Sequence, residues 1–353
     1  MFKFPPIAVD IGSSAIKIVE ISGTNKKKLR SVGIELVPEG TISDGMISDI
    51  PAAQQALKRL VKRLRIGTTR RRACLSLGGS SVIIKKVNFP NKDDDELADM
   101  VEAEAEQHFQ HDLEELHYDW HALEAQPNQQ DRSVVLIGAK KDIVEQHIEV
   151  AKSIGLKIAV IECDVFALFN MFEYNFGTVQ GLIALTNIGA SSAQVSLIGN
   201  GQYLFTRDIA IAGDTYTKAL SSELNIAPEN AEAVKIAASE GGASITPEIQ
   251  KVIAEINKQL VSELQVTTDF FFQSGEAPLD LTALSGIFLT GGASRTIGLD
   301  SAISSAMNIP VNIINPFHKI EIPKKFPMES ILSQGHLYGI GVGLSLRDTE
   351  DSF

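Results

Sequence analysis

Five residues near the start, Asp10, Gly12, Ser13, Ser14 and Lys17 in "AVDIGSSAIKI" (8–18), have the types and spacing to hold a phosphate and a metal ion. An apolar strand delivers Asp10 to its end, and Gly12 permits a turn whose N–H groups can face an anion. The two serines add hydroxyl donors, and Lys17, on the returning strand, adds a point charge suited to a phosphate. Asp10 suits Mg²⁺ held through water, because that ion keeps several waters and takes one or two carboxylates beside phosphate oxygens. Taken alone, a strand-Asp-Gly turn is equally a plain hairpin.

The chain carries a second copy. "IALTNIGASSAQVSLI" (183–198) aligns with "PIAVDIGSSAIKIVEI" (6–21) without a gap, so that Gly12 falls on Gly189 and Ser14 on Ser191, but Asp10 falls on Asn187 and Lys17 on Gln194. Two facing hairpins would clamp phosphates from both sides. An amide at Asn187 keeps hydrogen-bonding geometry but cannot accept a proton from an attacking water, which predicts slow or absent hydrolysis. The alternative is a neutral substitution in a metal shell that Asp10 and Asp164 already serve. A third glycine element, Gly291-Gly292-Ala293 in "FLTGGASRTIGL" (288–299), would let a base or sugar approach the backbone.

Other candidates have plainer rivals. Glu232 and Lys235, three apart on a helix, read as a nucleotide contact or as an ordinary surface ion pair. Asp164 and Glu162 in "VIECDV" could position a water, or Asp164 could cap the next helix. His108, His111, His117 and His121 fit no compact ligand spacing, so they are expected to be polar side chains at the surface or at a subdomain boundary. Neither a G-x-S-x-G elbow nor a G-x-x-x-x-G-K-[ST] loop occurs.

The elements that must position these residues follow from periodicity. Alternation predicts strands over 6–21, 31–38 and 72–89, and 3.6-type spacing predicts a helix over 50–66. An acidic first turn opens a helix at 91–109, followed by strand, strand-helix and strand to 164, so 91–155 reads as an α+β unit interposed in the first half. The second half repeats the opening, continues through a helical series at 214–273, and closes with a small-residue helix at 333–347. This organisation gives domains over 1–170 and 171–347, the last helix packing back on the first domain, and an acidic tail at 348–353.

Composition bounds the function. At 353 residues, 44% hydrophobic and 22% charged, the chain is long enough for two globular domains. A net charge of −12 argues against nucleic acid as the main partner. The basic runs at 25–30 and 68–73 read as solvated turns. Cys74 and Cys163 lie in apolar segments, as core thiols of a reducing compartment would. No export signal or membrane-spanning stretch is evident, so any membrane role is expected to be peripheral.

With these motifs in order, 8–18, 160–172, 184–195, 287–299 and 337–346, the sequence resembles the actin-like ATPase superfamily, and within it the PilM family of type IV pilus assembly proteins. The resemblance implies an α/β, ribonuclease H-like fold duplicated into two domains, with an insert of the type called 1C in the cell-division protein FtsA. It implies ATP or ADP with Mg²⁺ in the cleft, held by Asp10, Gly12, Ser13, Ser14, Lys17, Asn187, Gly189, Ala190, Ser191, Gly213, Glu232, Lys235, Gly291, Gly292 and Ala293, with Asp164 and Glu162 positioning water. It also implies a cytoplasmic adaptor that binds the N-terminal peptide of the inner-membrane protein PilN between subdomains 1A and 1C, in a groove lined from about 72–125 and 134–165. Other pilus motor or platform components and self-association are further implied contacts. The acidic "LSLRDTEDSF" lacks the amphipathic targeting helix expected of FtsA. A filament-forming ATPase like FtsA and a small-molecule kinase of the same fold are the alternatives.

Overall fold

The computed structural model describes residues 4–69, 71–123, 130–241, 245–275 and 277–347; the acidic tail at 348–353 lies outside them. Strands β1 (Ile7–Ile11), β2 (Ala15–Ser22) and β3 (Lys28–Leu36) form an antiparallel meander, and a short hairpin of β4 (Ile42–Ser43) and β5 (Met46–Ile47) leads to helix α1 (Ile50–Leu64). Asp49 starts α1 by accepting the Ala52 N–H at 2.9 Å, and Arg65 ends it in the left-handed conformation. The stripe Ala53, Ala56, Leu57 and Leu60 is buried against the sheet, as its 3.6-residue spacing requires. Strand β6 (Arg72–Leu77) then pairs parallel to β1.

Before the sheet is completed the chain makes β7 (Val82–Pro90), α2 (Asp94–Phe109), β8 (Leu116–Ala122), β9 (Asp131–Lys140) and α3 (Lys141–Lys152). The strands form a separate sheet in the order β7-β9-β8. Helix α2 covers one face through Leu97, Val101, Ala105 and Phe109, spaced four residues apart. This unit takes in Val82–Pro90, ahead of the 91–155 read from sequence, because β7 runs along β9 for its whole length. Helix α3 packs instead on the first sheet and α1, where Val150 and Ala151 join the core. Strand β10 (Lys157–Cys163) returns parallel to β6, and α4 (Asp164–Phe176) follows directly.

The second half repeats this plan. Strands β11 (Leu182–Ile188), β12 (Ala193–Gly199) and β13 (Gln202–Ile209) make the meander, followed by α5 (Gly213–Leu224), α6 (Pro228–Ser239) and α7 (Pro247–Gln273). Then come β14 (Leu284–Thr290), α8 (Leu299–Met307), β15 (Val311–Ile313), α9 (Met328–Ser333) and α10 (Gly339–Leu346). The strand orders β3-β2-β1-β6-β10 and β13-β12-β11-β14-β15 match position by position, so the repeat seen in sequence extends to whole sheets.

One apolar cluster spans both halves, joining Ala8 and Val19 of the first sheet to Ile183 and Leu185 of the second through α4 and α10. Helix α10 lies against α4, β1 and β2, and its glycines explain how. A Cβ on Gly343 would sit 1.7 Å from the Ala167 carbonyl oxygen, and one on Gly341 would sit 2.8 Å from Val19. Only bare backbone fits there.

The basic run at 25–30 is not a purely solvated turn: Lys26 and Lys28 reach Glu321 at 3.2 and 2.7 Å. In the second run Arg71 is buried and pairs with Glu20 at 2.8 Å. Both cysteines are buried thiols, and burial pushes Cys74 up to about 12. No helix among the described residues is long and apolar enough to cross a membrane.

Candidate functional site

The two glycine hairpins are built alike. In the first, Asp10 lies directly across the ladder from Lys17, and Gly12 closes the turn by donating to the Ala15 carbonyl at 3.1 Å. In the second, Asn187 lies across from Gln194, and Gly189 donates to the Ser192 carbonyl at 3.0 Å. The substituted positions are therefore cross-strand partners, and the acid-base pair has been replaced as a unit by two amides. Lys17 reaches Asp10 at 3.0 Å, whereas Gln194 donates to Asp208 of β13 at 3.0 Å.

The turns meet. Ser13 Oγ and Ser191 Oγ are 2.8 Å apart, so the hydroxyls of the two halves hydrogen-bond across the cleft. Bare backbone surrounds them: a Cβ on Gly12 would lie 3.7 Å from both the Asp10 carboxylate and the Lys17 ammonium. Helix α5 aims its first turn at the second hairpin, with Gly213 N–H donating to the Gly189 carbonyl at 3.0 Å and Asp214 N–H to Ala190 at 2.8 Å. Ser14 is exposed at the first turn.

Lys235 is buried, unlike the surface pair that its spacing with Glu232 suggested. Its ammonium donates to the Gly213 carbonyl at 3.1 Å and Thr217 Oγ1 at 3.0 Å, and pairs with Glu232. Gly291 adopts φ +91°, and a Cβ there would fall 2.4 Å from the Ile188 carbonyl oxygen and 2.5 Å from Asn187 Oδ1. Gly291, with Gly292 and Ala293 in the tight turn Gly292–Arg295, is thus pressed against the second hairpin. His336 anchors this turn through its carbonyl, which accepts from Gly291 N–H at 2.8 Å and from Thr290 Oγ1 at 2.9 Å.

Asp164 and Glu162 part company. Asp164, the first residue of α4, joins the Asp10 group: its carboxylate is pushed above the usual range, first by desolvation and then by the charge of Asp10, against the Ser76 hydroxyl bond and Lys17. Among the described residues its Oδ1 has no hydrogen-bond partner. Glu162 faces away, its Oε2 3.4 Å from Arg347, and burial raises it. Sequence reasoning missed Ser76 and Gly78. A Cβ on Gly78 would land 2.0 Å from Asp164 Oδ2, and the glycine doublet ending an apolar strand was the available signal. It also missed Asp208, whose approach to Gln194 depends on β13 pairing with β12.

Beside Asp164 opens a cavity of about 280 Å³, walled by β7, the β10–α4 junction, Gln194 and β13. A larger one of about 470 Å³ continues between β7 and β13, which are terminal strands of their sheets, and the two share Ile84 and Thr206. Of the histidines, His108 lies on this second wall against the Phe89 ring, and among the described residues no three His, Cys, Asp or Glu side chains converge as a metal shell.

A family model described as type IV pilus assembly protein PilM matches residues 8–349. The cell division protein FtsA of Pseudomonas aeruginosa is 23% identical over 380 residues, covering 96% of this chain and 88% of FtsA. Among solved structures, the PilM-PilN type IV pilus biogenesis complex matches with a TM-score of 0.85 at 24% identity, over 98% of each chain. MreB 5 of Spiroplasma citri bound to AMPPNP matches with a TM-score of 0.54 at 14% identity, over 97% of this chain and 95% of that one. With the paired sheets above, these likenesses make the fold the duplicated actin-like α/β fold that the motifs implied.

Proposed function

The chain belongs to the PilM family of type IV pilus assembly proteins, and from that premise we propose that it is an ATP-binding adaptor of the pilus inner-membrane platform, held at the membrane by a PilN-like partner. The observation that carries the nucleotide half is the meeting of the two glycine hairpins at Ser13 and Ser191. The residues present fit a nucleoside polyphosphate. Bare backbone at Gly12 leaves room beside the Asp10–Lys17 pair that a Cβ would take, and Gly213 lets the first turn of α5 close on the second hairpin, where a Cβ would lie 3.1 Å from the Gly189 carbonyl oxygen.

In this reading Lys17, the turn N–H groups of the hairpins and the Ser13, Ser14 and Ser191 hydroxyls hold the phosphates. Asp10 holds Mg²⁺ through water, and the ion supplies charge neutralisation to the phosphate oxygens. Lys235, Glu232, Gly213 and the Gly291-Gly292-Ala293 turn face the nucleoside. Asn187 cannot take a proton from water, and general-base help of the kind it lacks is typically worth about 10²- to 10⁴-fold. The nucleotide then acts chiefly as a ligand that holds the two halves together. Single-turnover ATP cleavage should be slow; rapid cleavage that Asn187→Ala abolishes would overturn this.

For the partner half, the channel along β7 and β13 supports capture of an extended peptide, because the outer backbone edge of each strand can pair with it. Residues 77–79, 82–84 and 163–165 of its walls fall within the range expected for the groove, and Gln194 with 206–208 adds a wall from the second half. The solved PilM-PilN complex names such a partner for its own PilM. Titration with a synthetic PilN-like N-terminal peptide, with and without ATP and Mg²⁺ and with Asp10→Ala as control, tests the proposal. Binding strengthened by nucleotide in the wild type alone is expected; no peptide binding in any condition discards the adaptor.

A further inference from the structure

The two basic runs of the sequence, 25–30 and 68–73, take no part in the cleft or the groove, and the fold brings them to one edge of the first sheet. Strands β1, β6 and β10 are parallel and begin together, and β2 returns to that same end before turning into β3 through 23–27. Helices α1 and α3 end there too, because each is followed directly by one of these strands. The loops after them touch: Lys157 N–H donates to the Arg71 carbonyl at 2.9 Å, and a Cβ on Gly155 would lie 3.9 Å from Thr68 Oγ1.

This edge is positive. Lys62 and Arg65 at the end of α1, Lys152 at the end of α3 and Lys157 at the start of β10 are exposed, and none has an ion-pair partner among the described residues. Lys26 and Lys28 share the single carboxylate of Glu321, which leaves one positive charge over. Between Asp49 and Asp93 the chain has no acidic residue and eleven of its 32 lysines and arginines, although its net charge is −12. An apolar group stands among these cations. Phe4, just ahead of β1, is 66% exposed, and the buried Arg71 holds it, with its guanidinium 4.8 Å from the ring centre and donating to the Pro5 carbonyl at 2.7 Å. The cleft acids Asp10 and Asp164 lie toward the opposite ends of β1 and β10. The seven residues of β10 span about 20 Å, roughly two Debye lengths in physiological salt, so those acids do not cancel the field of this edge.

Resting on the reading that places the chain at the membrane, we propose that this edge is a direct contact with the anionic lipid surface. The cations meet the headgroup phosphates, and Phe4 enters the boundary between headgroups and acyl chains. The cations come from several chain segments spread over an outer edge, and an exposed aromatic stands among them. That arrangement suits a broad surface whose charge overlies hydrocarbon better than it suits an acidic peptide. The contact also orients the molecule, with the nucleotide cleft at the end of the sheet away from the bilayer.

The test uses the full chain alone, without partner peptide. It is floated with vesicles of about 40% phosphatidylglycerol in phosphatidylethanolamine, and with neutral phosphatidylcholine vesicles, at about 0.05 M and 0.5 M salt. Binding to the anionic vesicles only, lost at the higher salt, is expected. Lys62→Glu with Lys157→Glu should weaken it by about tenfold or more. Lys251→Glu with Lys258→Glu, the same change of charge at exposed positions of α7, should leave it within about twofold. Phe4→Ser should weaken it at constant charge. The vesicle and salt comparisons on the wild type decide the matter even where a variant folds poorly. Equal binding to neutral vesicles, or binding to none, overturns the lipid contact and leaves the adaptor to its peptide titration. Capture by soluble polyglutamate without vesicle binding overturns it in favour of an acidic protein. Vesicle binding by a chain that takes no PilN-like peptide upholds the lipid contact and sinks the adaptor.

Discussion

Asn187 and Gln194 gain meaning from being ladder partners, as Asp10 and Lys17 are. Replacing an acid by an amide alone would leave a lysine uncompensated beside the turn; replacing both keeps the hairpin and removes its charge. A second residue-scale consequence concerns His336, whose imidazole is held down to about 4 by burial first and then by the Arg295 charge, against a bond to the Ser333 carbonyl. The folded state keeps this ring neutral, and the unfolded chain takes its proton near 6.5. The stability it contributes is therefore present above about pH 6.5 and is lost as pH falls through 6.5 toward 4. Denaturant titrations at about pH 7.5 and 4.5 should show a loss of roughly 2–3 kcal/mol from this group, which His336→Gln removes. An unchanged pH slope in the variant would reject it.

At the scale of elements, the helix α10 is defined by what it omits. Gly339, Gly341 and Gly343 bring its backbone against Thr290, Val19 and Ala167, and Ser345 Oγ donates to the Val19 carbonyl at 2.8 Å. Gly343→Ala must displace backbone and should cost about 3 kcal/mol. Gly67→Ala, where a Cβ meets nothing within 4 Å, should stay within about 0.5 kcal/mol. Equal denaturation midpoints would contradict the packing described. Elements were the most legible level in the sequence: the period-2 runs of β1, β2, β11 and β12, the acidic start of α2 and the small-residue run of α10 announce themselves locally. The site was legible only where it is local. Asp10, Lys17 and the glycine turns could be read, but the separation of Glu162 from Asp164, the burial of Lys235, and the approach of Ser76, Gln194 and Asp208 depend on strands meeting across the sheets.

At the scale of the whole molecule, the two halves share one apolar cluster, while the three-stranded unit keeps its own around Phe89, Phe109 and Leu136. A small separate core holds less free energy than one that runs through both domains. The sole tryptophan, Trp120 of β8, reports on that unit. Its fluorescence should change at lower denaturant than the far-ultraviolet circular dichroism of the whole chain, and coincident transitions would show a single cooperative block.

The position of α10 also bears on synthesis. The hydrogen bond from Ser345 to Val19 joins residues 326 positions apart, and α10 covers β1 and β2. A ribosome making the protein in order releases the first sheet with that face bare, and it stays bare until the entire second half has been translated. The nascent first half therefore shows apolar surface while the second half is being translated, when intermediates of this kind aggregate most readily. Its safe completion depends on chaperone cover or on prompt arrival of the last helix.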